Sequence, residues 1–331
     1  MADVTLKKLA AMLNLSIATV SRALKNHPDI SEDTKKKVKE LAGVLEYEPN
    51  TYAVNLRTNH SREFGLIVPA ISNDFYQSFI SSMEEEARLS GYSLIILLSL
   101  DDPLIELQNL KRCKQNRMAG IFVSITSKTT NISSFLKIDE EQHIPVIFFD
   151  LVPPFEACNK VCVDDTAAAS IAAETLILRK KNNILAVFGN KQLSITQKRL
   201  QAFKETFIKF SSDAVVQYYH ANSTNEAFIW FIEQLKHTGK ADAIFCMSDD
   251  ILIGAMKAVQ TLRLQLPEDI GLIAISDGVV PQFYHPQITY IETSGYKLAK
   301  MAFSRMLACL AGSTYVRELK IEAVLVEGGS I

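Results

Sequence analysis

Apolar residues Leu6, Leu9, Ala10 and Leu13 fall at i, i+3, i+4 and i+7, the repeat of one buried helical stripe, and Thr5 just ahead of them suits an N-cap. The spacing predicts a helix over about 5–12. Asn14 stands where a tight turn needs a residue tolerant of the left-handed region, and Ser16 is placed to cap a second helix over about 17–24. On that helix Val20, Ala23 and Leu24 share one side, while Ile17, Ala18, Ser21 and Arg22 take the other. Ser31 followed by Glu32 and Asp33 gives an N-cap with an acidic first turn, and Val38, Leu41, Ala42 and Leu45 repeat the stripe. A third helix over about 31–45 then closes a small three-helix unit.

From Phe64 onward the pattern changes to short apolar runs alternating with helical stretches. The runs 64–68, 93–98, 120–124, 146–149, 160–163, 184–188, 215–219, 243–246 and 272–275 read as strands. Such alternation predicts parallel sheets built from right-handed βαβ units. No Gly-rich phosphate loop follows any strand, so no nucleotide cofactor is expected, and no nucleophile–base constellation is visible. The body reads as a sensor, not an enzyme.

Helix, tight turn and second helix make a helix-turn-helix, and the outward face of the second helix is small, polar and cationic, as a reader of the DNA major groove requires. Charge agrees: residues 1–62 hold ten Lys and Arg against seven Asp and Glu, a net of +3, while the whole chain is −2, leaving −5 for the rest. That asymmetry places phosphate affinity at the amino terminus. There is no amino-terminal export signature, and the longest apolar stretch, 94–100, is too short to span a bilayer, so a cytoplasmic protein without a membrane partner is expected. Five cysteines, an odd number, lack paired metal spacing, and the six histidines are scattered, so neither a disulfide framework nor a metal site is expected.

The segment Tyr47-Glu48-Pro49-Asn50-Thr51-Tyr52-Ala53-Val54-Asn55-Leu56-Arg57-Thr58 resembles the hinge of the lactose-repressor (LacI/GalR) family, and Val4-Thr5-Leu6 with Ala18-Thr19-Val20-Ser21-Arg22-Ala23-Leu24 resembles its headpiece. The resemblance implies an all-α helix-turn-helix headpiece (1–48), a hinge helix and linker (49–62), and an α/β body (63–331) like the periplasmic binding proteins. Two Rossmann-like lobes would form that body, about 63–160 with 291–320, and about 161–290 with the carboxyl-terminal strand. It also implies base contacts by Ile17, Ala18 and Arg22, with Arg22 suited to guanine O6 and N7. Ser16, Thr19, Ser21 and Asn26 would position phosphates. Leu56 would wedge into the central minor groove of the operator from a hinge helix, with Ala53 on the same face. One departure is Glu46, where the family usually ends its third helix with Gly or Asn; a left-handed conformation there costs strain, and Gly43 is a second helix-weakening choice.

For the cleft between lobes, the resemblance assigns Asn73, Phe75, Tyr76, Asp150, Arg199, Ser248 and Ser276 to effector binding. Asn73 would give a polar group, and Phe75 and Tyr76 an aromatic platform, unless the two rings begin a core stripe. Ser248 replaces the family's usual Asn and Ser276 the first Asp of an Asp-Asp pair, leaving Asp277 as the second. The loss of acceptors predicts a cleft less negative than in hexose sensors and an Arg199 less neutralised. The implied partners are double-stranded operator DNA and a small-molecule effector, expected to be anionic, a sugar phosphate or a uronate, with a neutral sugar close behind. One headpiece reads half an operator, so a homodimer is expected, joined through helices near 75–89 and their neighbours, with no heptad extension for a tetramer. A periplasmic-type solute-binding protein would share the body but have no use for residues 1–58.

Overall fold

Three hydroxyl caps start the three amino-terminal helices, α1 (Leu6–Met12), α2 (Ile17–Leu24) and α3 (Glu32–Val44). Thr5 accepts from Lys8 N at 3.3 Å, Ser16 from Thr19 N at 3.0 Å and Ser31 from Thr34 N at 3.3 Å, each satisfying a helix donor that has no intrahelical partner. The three helices also end alike. Asn14, Asn26 and Glu46 have φ of 55°, 57° and 49°, and the next residue of each donates back five positions, Leu15 to Ala10, His27 to Arg22 and Tyr47 to Ala42. Two of the three are Asn, which tolerates this region; Glu46 adopts it with the strain expected of it. Leu9, Ala10, Val20, Ala23, Val38 and Ala42 form the core of this unit.

The computed structural model describes residues 4–47, 61–71, 73–154, 157–210, 213–238 and 241–331. The chain divides into two units, 1–61 and 62–331. The hinge candidates Ala53 and Leu56 lie outside the described residues.

In the second unit the strands β1 (Glu63–Val68), β2 (Ser93–Leu98), β3 (Gly120–Val123), β4 (Val146–Phe149) and β5 (Lys160–Val163) alternate with α4 (Asp74–Leu89), α5 (Pro103–Gln115) and α6 (Ser133–Gln142). Then β6 (Asn183–Phe188), β7 (Val215–His220), β8 (Ala243–Cys246), β9 (Gly271–Ser276) and β10 (Thr289–Glu292) alternate with α7 (Asp165–Leu178), α8 (Ser194–Lys209), α9 (Thr224–Thr238) and α10 (Asp249–Thr261). Helix α11 (Gly295–Leu310) and strands β11 (Glu318–Ile321) and β12 (Val324–Val326) complete the chain.

The strands form two six-stranded sheets of matching order, β2-β1-β3-β4-β5-β11 and β7-β6-β8-β9-β10-β12, parallel except for the β10–β12 pair. The chain passes between sheets after β5, after β10 and between β11 and β12. The first two passages follow Val163 and Glu292, a few residues beyond the boundaries of 160 and 290 expected from sequence, because all of β5 pairs with β11 and all of β10 pairs with β9. Strands β1, β3, β4, β8 and β9 are buried along nearly their whole length, as strands covered by helices on both faces must be. Phe64, Phe79, Phe122, Phe149 and Phe303 anchor the first lobe, and Phe188, Phe203, Phe231 and Phe245 the second.

Candidate functional site

Parallel sheets with helices on both faces expose the carboxyl ends of their strands where the order reverses, here next to β1 in one lobe and β6 in the other. Both ends open into one cavity of about 350 Å³. All seven residues assigned to it from sequence line it: Asn73, Phe75, Tyr76 and Asp150 from the first lobe, and Arg199, Ser248 and Ser276 from the second.

Several do other work than expected. Asn73 caps α4, accepting from Tyr76 N at 3.0 Å, so its carbonyl oxygen is engaged. Tyr76 belongs to the first-lobe core, with its ring edge-on to Phe75; its hydroxyl lies 2.8 Å from Ser124 Oγ and donates to Asp150 Oδ2 at 2.8 Å. The aromatic platform thus reduces to Phe75, while Tyr76 fixes Asp150. Asp150 itself has a φ of 55° directly after β4 and lines the cavity. Burial pushes its carboxyl up to about 6, against the Tyr76 hydrogen bond.

The expectation of a less neutralised Arg199 and a less negative cleft is overturned. Nε and Nη2 of Arg199 both lie 2.8 Å from Asp165 Oδ1, and Nη1 donates to the Met247 carbonyl at 2.7 Å. Asp165 is the first residue of α7, at the passage between lobes, and its position in the pair Asp164-Asp165 reads from sequence as an acidic helix start. The carboxylate that Ser276 lacks is restored from elsewhere: Ser276 Oγ donates to Asp249 Oδ1 at 2.5 Å, and Asp277 N to Asp249 Oδ2 at 3.2 Å. Burial pushes Asp249 and Asp277 up to about 6. Asp249, Asp250 and Asp277 line the cavity with Asp150, so four carboxylates surround it. Asp249 and Asp250 were missed because, after Ser248, they look like the ordinary acidic first turn of a helix.

Asp277 also joins the lobes. Its Oδ1 accepts from Gly295 N at 2.6 Å, at the start of α11, which packs in the first lobe. A Cβ at Gly295 would lie 2.4 Å from the Phe75 carbonyl and 2.6 Å from Ser78 Oγ, so glycine allows the close approach of α11 to α4.

In the amino-terminal unit Ile17, Ala18 and Arg22 are exposed along one side of α2, opposite buried Val20 and Ala23. Ser16 is exposed, with its hydroxyl 2.9 Å from that of Thr19; Thr19 and Ser21 are half-buried beside it, and Asn26 is the exposed left-handed residue after α2. No helix among the described residues is long and apolar enough to cross a membrane.

Residues 61–327 match the family described as periplasmic binding proteins and sugar binding domain of LacI family, and residues 5–50 match the bacterial regulatory proteins, lacI family. The chain is 28% identical over 327 residues to a probable HTH-type transcriptional repressor ExuR of Bacillus subtilis, covering 97% of this chain and 95% of the relative. The lac repressor dimer bound to operator and the anti-inducer ONPF superposes with a TM-score of 0.88 over 99% of both chains at 18% identity. A periplasmic binding protein/LacI transcriptional regulator from Alkaliphilus metalliredigens complexed with D-xylulofuranose gives a TM-score of 0.70 over 82% of this chain and 99% of that one at 22% identity. With one match over the body and another over the helix-turn-helix, the chain belongs to the LacI family of DNA-binding transcriptional regulators.

Proposed function

We propose that this chain binds a pseudopalindromic operator as a homodimer and that a sugar or sugar derivative, bound between the lobes, changes its operator affinity. The carrying observation is the cavity of about 350 Å³ formed by strand ends of both sheets in a chain that passes three times between them, a size that suits a mono- or disaccharide. Carboxylates accept pairs of hydroxyl hydrogens, and Phe75 offers a face to the C–H side of a sugar ring. The carboxylates also weigh against the sugar phosphates and uronates considered from sequence, since an added anion would meet half-buried Asp150, Asp249 and Asp277, exposed Asp250 and an Arg199 already paired.

On α2, Ile17, Ala18 and Arg22 would read bases while Ser16, Thr19, Ser21 and Asn26 hold phosphates. The dimer draws support from an apolar strip on the first lobe: Ile95, Ile96 and Leu98 on edge strand β2 are exposed, as are Leu100 and Leu104 just beyond it. An uncovered apolar sheet edge invites aggregation, and a symmetric partner covers it. The second lobe also exposes apolar side chains, among them Leu178, Ile208, Val215 and Phe283.

Fluorescence anisotropy of the full chain on labelled palindromic DNA, across salt concentrations and a sugar library, tests the proposal. A steep salt slope and an affinity shift of about 5–150-fold with one sugar are expected. Salt-insensitive binding, or DNA affinity indifferent to every sugar, would overturn it.

A further inference from the structure

The cleft assigned above to an effector carries a charge pattern that a plain sugar does not require. Asp74 opens α4 on the first lobe, and Asp249 and Asp250 open α10 on the second. Asp249, Asp250 and Asp277 line the cavity, and Asp74 stands between the lining residues Asn73 and Phe75; burial first, with the charge of Asp74 as a smaller cause, raises the three second-lobe carboxyls. The donors that reach Asp249 and Asp277 there are neutral, the Ser276 and Ser78 hydroxyls and the backbone N–H groups of Asp277 and Gly295. Among the described residues none of these four acids forms an ion pair. Arg199, the one cation among the described lining residues, is held by Asp165.

We infer that the effector is a polyhydroxylated molecule bearing a protonated amine, an amino sugar or amino polyol, whose ammonium sits between Asp74 of one lobe and Asp249, Asp250 and Asp277 of the other. The inference rests on the cavity being the effector site and adds the charge of its occupant. Like charges on both lips oppose closure of one lobe on the other, and an organic cation between them converts that repulsion into attraction. A bare metal ion is the weaker fit, because no group of three or more His, Cys, Asp or Glu among the described residues stands close enough to hold one. An ammonium on a carbon frame needs no such tight shell, and Phe75 supplies an apolar wall for that frame.

Isothermal titration of the full chain with matched sets tests this: D-glucosamine, N-acetyl-D-glucosamine, D-glucose and D-glucuronate, and the corresponding galactose and mannose sets, each followed by DNA anisotropy. In at least one set the free amine should bind about tenfold or more tighter than its acetylated, neutral and acidic counterparts, and Asp250→Asn should remove most of that preference. A neutral or acidic sugar that binds better and shifts DNA affinity overturns the amine while leaving a sugar effector intact. No response to any member overturns the amine, and the sugar library in the DNA anisotropy experiment decides the sugar reading separately. An Asp250→Asn protein that keeps the full amine preference overturns the placement of the ammonium.

Discussion

Arg199 and Asp165 face each other at 2.8 Å through both Nε and Nη2 of the guanidinium, with each residue buried. The ion pair ties α8 to the start of α7, and the Nη1 bond to the Met247 carbonyl extends it to the end of β8. Arg199 therefore serves first as a brace of the second lobe. A ligand meets a guanidinium whose charge is largely offset.

Truncating one member of that pair should leave the other buried and alone. Arg199→Ala is expected to destabilise the body by roughly 3–5 kcal/mol, and the double replacement Arg199→Met with Asp165→Asn by clearly less. Urea unfolding followed through Trp230, the chain's single tryptophan, reports the second lobe directly. Equal losses in the single and double variants would contradict the pairing.

Asp150 gives a pH signature. Its carboxyl, pushed up to about 6 by burial from an unfolded value of 3.8, holds its proton more tightly in the folded chain. Its ionisation thus costs stability, fully so above about pH 6, and the cost fades as pH falls toward 4. Asp150→Asn keeps an acceptor for the Tyr76 hydroxyl and suits the left-handed backbone. The variant should be more stable than the parent at pH 7.5, with the gain shrinking at pH 5; urea midpoints at the two pH values decide it, and a gain that grew on acidification would reverse the sign.

At Glu46 the φ of 49° predicts the opposite of the usual glycine penalty. Glu46→Gly should stabilise the amino-terminal unit by about 1 kcal/mol, since glycine enters the left-handed region without a Cβ clash and pays only in unfolded-chain entropy. Hydrogen exchange of α3 amides in the full chain measures it, slower exchange being expected.

For DNA, Arg22→Lys keeps the charge and loses the planar fork. It should lower operator affinity by about 1–3 kcal/mol and relax preference at one base pair, with the salt slope unchanged within error. A uniform loss on operator and random DNA would instead mark Arg22 as a phosphate contact.

The amino-terminal unit was almost wholly legible in the chain, because its information is local. Thr5, Ser16 and Ser31 cap within three residues of themselves, and Val20 and Ala23 are buried by the helical repeat alone. The strands of the body were legible for the same reason, as apolar runs of buried parallel sheet. Strands β10 and β11 escaped notice, since each has only four residues, β11 is exposed in part and the two belong to different sheets.

Sequence by itself thus determined the helix-turn-helix and the α/β repeat, which follow from periodicity, caps and apolar runs, while the residues that line the cavity came from the resemblance to the lactose-repressor family. Tertiary structure alone decided the charge of the cleft. Asp165 lies 34 positions from Arg199 and Asp249 lies 27 from Ser276. A carboxylate lost at one strand end was supplied from a neighbouring helix, and electrostatics depends on distance in space, which no spacing along the chain reports.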